Sequence, residues 1–103
     1  MTAATQPKGR SGVDITVTDV PERSRYEAQQ GRELLGVLTY HRKVGQVVFD
    51  HTEVEPAHRG RGIGALLAAA AVADAQDDDL RVVPACSFVR RWIEAHPEYL
   101  PLV

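Results

Sequence analysis

Val54-Glu55-Pro56-Ala57-His58-Arg59-Gly60-Arg61-Gly62-Ile63-Gly64 is the stretch on which the reading of this chain turns. A strand-like run ends at Val54, Pro56 opens a turn, and Gly60, Gly62 and Gly64 lead into an alanine-rich segment. Glycine reaches positive φ without steric cost and lets backbone approach a ligand closely. A helix N-terminus offers N–H groups without intrahelical partners and a partial positive charge. Arg59 and Arg61 add cations beside those groups. The combination suits a pyrophosphate or a similar anion. The plainer alternative is a tight strand-to-helix turn with solvated arginines, and the residues alone leave both open.

Downstream of this turn, Ile63, Leu66, Leu67, Ala70 and Asp74 fall at helical spacing with alanines between them. They predict a helix from about Gly62 to Gln76. Asp77–Asp79 oppose a helix C-terminal dipole, so the helix is expected to end before them. Leu80–Pro84 reads as a short buried strand. Ser87 is placed to cap a last helix with Phe88, Val89, Trp92 and Ile93 on its core face, and Pro97 ends it. Upstream, Val13, Ile15 and Val17 alternate with polar residues in a strand pattern that Pro21 interrupts. Arg25–Gln29, Leu34–Tyr40 and Gln46–Val54 follow as strands, with turn residues over His41–Gly45. Residues 1–12 read as a disordered arm and 13–103 as a single domain. The order predicts an α+β fold, a mixed and mostly antiparallel sheet with two main helices.

The 103 residues are 44% hydrophobic and 25% charged, a composition of soluble globular domains. A net charge of −2 gives no field that would draw nucleic acid or an anionic membrane, and neither partner is expected. The single cysteine, Cys86, excludes an internal disulfide and a multi-cysteine zinc site. His41, His58 and His96 fall at no metal-ligand spacing, so no metal is expected. No apolar run has the length of a membrane span or a secretory signal, so a cytoplasmic protein is expected.

Two familiar phosphate motifs compete for the turn. A P-loop needs a Gly-Lys-Ser/Thr ending, which is absent. Gly60-x-Gly62-x-x-Ala65 fits the dinucleotide fingerprint formally. That fingerprint belongs early in repeated βαβ units, whereas about half of this chain precedes it as an apparent meander.

Arg59-x-x-Gly62-x-Gly64, preceded by Val54-x-Pro56, resembles the coenzyme A loop of GCN5-related N-acetyltransferases. The stretch 13–102 resembles the minimal YjdJ-like branch of that superfamily. Asp50-His51-Thr52-Glu53-Val54, Cys86-Ser87-Phe88-Val89 and His96-Pro97-Glu98-Tyr99 are similar to that branch's signatures. The resemblance implies acetyl-CoA as the acyl donor and an amine as the acceptor. It implies a sheet that splays beside Gln46–Val54, with pantetheine between this strand and Leu80–Pro84. Val54, His58, Arg59, Gly60, Arg61, Gly62 and Gly64 become the cofactor-binding candidates, with a backbone N–H at Val54 or a neighbour polarising the thioester.

Acetyl transfer also needs an amine deprotonated and a thiolate leaving group stabilised. Simple alternation puts Val47, Phe49, His51 and Glu53 on one strand face, with His51 and Glu53 ~6–7 Å apart at Cα. Either can take a proton, and His51 has the better intrinsic pKa. Their structural alternatives are a packed histidine and a solvated carboxylate. Cys86 lies just before the expected cap with Arg90 and Arg91 nearby, a setting that favours thiolate. It is a candidate acetyl acceptor or pocket-lining residue, or a small buried filler.

Larger relatives carry a tyrosine acid about two turns into the last helix, where this chain has Trp92 or Ile93. Tyr99 is the available substitute, or it packs. Only Asp19–Arg23 stands where larger relatives place helices that wall the acceptor site. The acceptor side is therefore expected to be open, which suits a protein or peptide amine or low selectivity. A monomer or weak dimer is expected. The rival readings are a non-catalytic acyl-CoA-binding module and a small interaction domain that binds through Lys8 and Arg10 of the arm.

Overall fold

Short polar links oblige the first four strands to pair with their neighbours in sequence, and an intervening helix lets the fifth run parallel to the fourth. The computed structural model describes residues 14–103, so the arm 1–12 and Val13 lie outside the described residues. The strands are β1 (Ile15–Val20), β2 (Arg25–Gln30), β3 (Glu33–Lys43), β4 (Gln46–Val54) and β5 (Arg81–Pro84). The helices are α1 (Ile63–Asp77) and α2 (Ser87–Glu94), with single-turn 3-10 segments at Pro21–Arg23 and Pro56–His58 and a longer one at Pro97–Leu102. The sheet order is β1-β2-β3-β4-β5, antiparallel except for the β4–β5 pair. This is the expected mixed, mostly antiparallel α+β architecture. The strand β3 runs on to Lys43, so the turn is confined to Val44-Gly45.

One face of the sheet presents Tyr26, Leu38, Tyr40, Val47 and Phe49 to Ile63, Leu67, Ala71 and Val72 of α1 and to Val89 and Ile93 of α2. Burying side chains of this kind stabilises by about 1.5–3 kcal/mol each. Two buried phenols find carboxylates. Tyr26 donates to Asp74 on α1 at 2.8 Å, and Tyr40 donates to Asp19 on β1 at 2.6 Å.

Three local expectations fail. The buried stripe of α1 is Ile63, Gly64, Leu67, Ala68, Ala71, Val72 and Ala75, so Leu66 stands 43% exposed. A helix with alanine on most sides carries little periodicity, and packing chooses the face that brings the small residues against the sheet. The helix also includes Asp77. Asp79 takes a left-handed φ of 60°, and N–H groups of Leu80 and Asp79 bond the carbonyls of Ala75 and Gln76 at 2.9 and 3.1 Å. That Schellman closure satisfies the last carbonyls and outweighs the dipole penalty of roughly 0.3–1 kcal/mol. Finally, the N-cap of α2 is Cys86, and Ser87 is its first helical residue.

Strand β4 fails the simple alternation as well. Thr39 pairs with His51 but Tyr40 pairs with Phe49, so Asp50 is an extra residue in a β-bulge. The bulge resets the alternation. Val47 and Phe49 face the helices, and beyond Asp50 it is Thr52 and Val54 that do so. His51 and Glu53 occupy the opposite face, so the four residues do not share one.

Candidate functional site

The ladder between β4 and β5 has four pairs, from Gln46↔Arg81 to Phe49↔Pro84. Proline brings no N–H to extend it. Cys86 N–H then bonds the Phe49 carbonyl at 2.9 Å, and the chain turns into α2. Asp50–Val54 is left paired with β3 alone, and the sheet opens as a fork with Phe49, Pro84 and Cys86 at its crotch.

A groove of about 590 Å³ runs from the fork to the N-terminus of α1. Its walls include Thr52, Val54, Arg59, Gly60, Gly62, Ile63, Gly64 and Phe88. That volume is typical of small-molecule sites. Gly60 and Gly62 have φ of 86° and 78°, and Gly62 is the N-cap of α1 with no side chain capping it. The first N–H groups of α1 are therefore left for a ligand. Gly64 serves differently. A Cβ there would lie 2.8 Å from the tip of the Phe88 ring, so its bareness seats α2 on α1 at the groove floor. Phe88, expected as core alone, is half-buried and forms part of the groove wall.

The two arginines of the loop diverge. Arg59 lines the groove, its Nε 3.4 Å from the Val54 carbonyl. Arg61 turns toward the β2–β3 hairpin, with Nη1 2.6 Å from His58 Nδ1 and Nη2 3.4 Å from Gln30 Oε1. His58 Nε2 lies 2.8 Å from Glu33 Oε2, so His58 links the loop to the same hairpin while also lining the groove. Glu33 and Gln30 were not singled out in the sequence, where nothing connects that hairpin to the loop.

Cys86 is 8% exposed, and its Sγ lies 3.4 Å from Thr52 Oγ1 across the fork. Burial pushes the thiol up. The Thr52 hydroxyl and then the backbone N–H groups of Val89, Phe88 and Thr52 outweigh it and hold the thiol below its ordinary value. Val89 and Phe88 act from the first turn of α2 without a capping hydrogen bond. The exposed Arg90 and Arg91, expected to contribute, are not among these groups. Thr52 was missed because it alternates with His51, and only the bulge turns it toward the cysteine.

His51 and Glu53 turn their side chains together to the far face, Nε2 to Oε2 3.3 Å, both more than half exposed, and both residues also border the groove. A second concavity of about 290 Å³ lies on this face and shares Glu53, Val54 and Arg59 with the groove. Tyr99 packs instead against the core and stacks on Trp92, centroids 5.6 Å apart. Chemically, the fork offers an open strand edge, an anion site at one end, a thiolate-favouring cysteine at the other, and a proton acceptor pair reachable from the opposite face.

A family model described as GCN5-related N-acetyl-transferase matches residues 25–102. The chain is 33% identical over 101 residues to Protein NATD1 of Mus musculus, covering 94% of this chain and 91% of that one. It is 33% identical over 100 residues to Protein NATD1 of Homo sapiens, covering 92% and 88%. The solution structure of a GCN5-like protein from Staphylococcus aureus superposes with a TM-score of 0.61 at 24% identity, over 87% of this chain and 86% of that one, and shows a shared fold.

Proposed function

The chain belongs to the GCN5-related N-acetyltransferase family, and from that premise we propose that it is a minimal enzyme moving the acetyl group of acetyl-CoA to an amine. The observation that carries this reading is the fork. Half of β4 is paired on one side only and lies open beside an uncapped helix N-terminus, and one groove joins the two. The open edge at Asp50–Val54 suits the amides of pantetheine, which bond to free strand groups as a further strand would. The N–H groups that open α1, with Arg59 and the turn His58–Gly64, suit the pyrophosphate. Arg61 supports that turn through His58.

Bound acetyl-CoA supplies a thioester whose carbonyl accepts the nucleophile and whose sulfur departs as thiolate. A backbone N–H on the open half of β4, at Val54 or a neighbour, polarises that carbonyl. The amine approaches from the far face, where Glu53 or His51 takes its proton. The C–N bond forms, the C–S bond breaks, and the proton rests on the His51–Glu53 pair. Cys86 reaches the groove through Thr52 of its wall, whose Oγ1 lies 3.4 Å from the cysteine Sγ. Its lowered thiol favours a second reading in which sulfur takes the acetyl group first and the amine then displaces it. Cys86→Ala separates the two, because a direct transfer survives it and a covalent one does not.

Calorimetric titration of acetyl-CoA and CoA into wild type and the Arg59→Ala/Arg61→Ala variant tests the donor site. Saturable binding that weakens at least about tenfold in the variant is expected, the loss of roughly one charge-assisted contact. Absence of wild-type binding at millimolar ligand contradicts the proposal. Binding without transfer to any amine would leave an acyl-CoA-binding module in its place.

A further inference from the structure

Among the described residues, Glu27 is the buried charge that the transfer mechanism does not use. It is 6% exposed, and its Oε2 accepts from Arg25 Nε at 2.8 Å and from Arg23 Nη1 at 3.2 Å. Arg25 Nη2 also lies 2.8 Å from the same oxygen. The contacts of Arg25, largest in effect, and of Arg23 hold the Glu27 carboxyl below its ordinary value against the opposing influence of burial. Two guanidiniums on one carboxylate leave a net positive charge, and the buried anchor fixes where Arg25 stands.

Arg25 stands on the wall of the second concavity. In the sheet register Glu27 pairs with Val37, and Val37 with Glu53. One row across the far face therefore runs from the Glu27 anchor, over an apolar Val37, to Glu53. Leu34 and Pro56 add apolar wall, and Glu55 adds a second carboxylate at the Glu53 end. The concavity thus carries the Arg25 guanidinium at one side and, at the other, the two carboxylates Glu53 and Glu55 beside the single guanidinium of Arg59. Arg25 stands two residues along from that row, on the one that runs through Thr39 to His51, so it lies two strand spacings and two residues from Glu53, about 12 Å between backbones and less between side-chain tips. The concavity's volume of about 290 Å³ is at the low end for small-molecule sites and too small for a stretch of folded partner.

We infer that this concavity receives a small amine bearing a carboxylate within a few bonds of the nitrogen, an α-amino acid in kind, with the amine at Glu53 and the carboxylate at Arg25. The inference deepens the proposed transfer reaction and rests on it for the fate of the amine. The geometry is complementary in sense: the ammonium meets the carboxylate that takes its proton, the substrate carboxylate meets a planar fork of donors, and the side chain meets Leu34, Val37 and Pro56. Nitrogen then lies where the two concavities meet at Glu53 and Val54. The ammonium gives one proton to Glu53, the freed amine forms the C–N bond to the acetyl carbon, the thioester C–S bond breaks, and the second nitrogen proton passes to the departing CoA thiolate.

The test uses three probes of one shape, L-leucine, L-leucinamide and 3-methylbutylamine, titrated into the full chain with and without saturating CoA. Backbone amide shifts are followed by NMR. L-leucine is expected to shift Arg25, Val37 and Glu53 saturably and to bind about tenfold more tightly than the other two, the ratio one charge-assisted contact sustains. Arg25→Ala is expected to bring leucine to the level of the amide. Arg25→Lys, which keeps the charge against Glu27, guards against misfolding and is expected to retain part of the preference. Transfer from acetyl-CoA to the three amines should follow the same order. Equal binding of all three, tighter binding of the amide, or a preference that survives Arg25→Ala overturns the inference. So does acetyl-CoA binding without leucine binding. Leucine binding without acetyl-CoA binding instead removes the transfer reading and leaves the amino-acid site standing.

Discussion

The two halves of β4 share one strand and differ in nearly everything else. Gln46–Phe49 is paired on both sides and carries Val47, Val48 and Phe49 into the protein. Asp50–Val54 is paired on one side, and its side chains are exposed or half-buried. One extra residue and one proline separate them. Asp50 bulges and turns the following side chains over, and Pro84 ends the neighbouring ladder at the same level. A closed core strand thus becomes an open edge within one residue, and the open edge is where the family's chemistry is proposed.

The largest test of this contrast is stability. Phe49→Ala in the closed half should cost about 3–5 kcal/mol in urea unfolding. His51→Ala in the open half should change stability by no more than about 0.5 kcal/mol. Comparable losses at the two positions would break the contrast. Next in size is the loop that faces the open half. Gly62→Ala puts a Cβ at φ 78°, a strain of about 1–2 kcal/mol although the space around it is empty. A cost near zero would mean the turn is held less tightly than its geometry requires.

The core that the closed half packs into should also be the alkali-sensitive part, since Tyr40 pairs with Phe49 and Tyr26 packs on Tyr40. Burial, then hydrogen bonding to Asp19, pushes the Tyr40 phenol up to about 12. Tyr26 is raised too, by burial and then by its bond to Asp74. Both phenols are held protonated in the fold. Their contribution is therefore complete below the ordinary phenol value of about 10 and is lost as pH climbs toward about 12. Tyr40→Phe should cost about 1 kcal/mol at neutral pH and flatten that alkaline slope. An unchanged slope would place the linkage elsewhere.

The smallest effect lies across the fork. Thr52→Val should leave stability within about 1 kcal/mol and move the Cys86 thiol upward. Thiolate absorbance against pH reads the change. A titration identical to wild type would mean that Thr52 does not tune the cysteine.

What the sequence disclosed follows the same division. Gln46–Val54, α1 and the turn between them were readable because hydrophobic runs, alanine content and glycine spacing are local signals. The glycines and arginines of 58–64 marked an anion site by the same kind of signal, while the cleft beside it came only from the family resemblance. The orientation of Arg61 away from that groove was not readable, since it depends on Glu33 and Gln30 of a distant hairpin. Nor was the turnover at Asp50, because a bulge is fixed by pairing across strands and period-2 reasoning assumes there is none. That single residue decides that Thr52 meets Cys86 and that His51 and Glu53 face the opposite side. The Glu27 anchor was equally invisible, its burial arising only when β2 is enclosed by β1 and β3.

The most direct test of the fork is an amide NMR titration of the full chain with CoA. Shifts are expected to concentrate at Asp50–Val54, at Gly60–Ala65 and at Cys86, and to leave Gln46–Phe49 and the β1–β2 hairpin nearly unmoved. Shifts spread over the closed half, or none at millimolar CoA, would contradict the placement of the donor in the open half of β4.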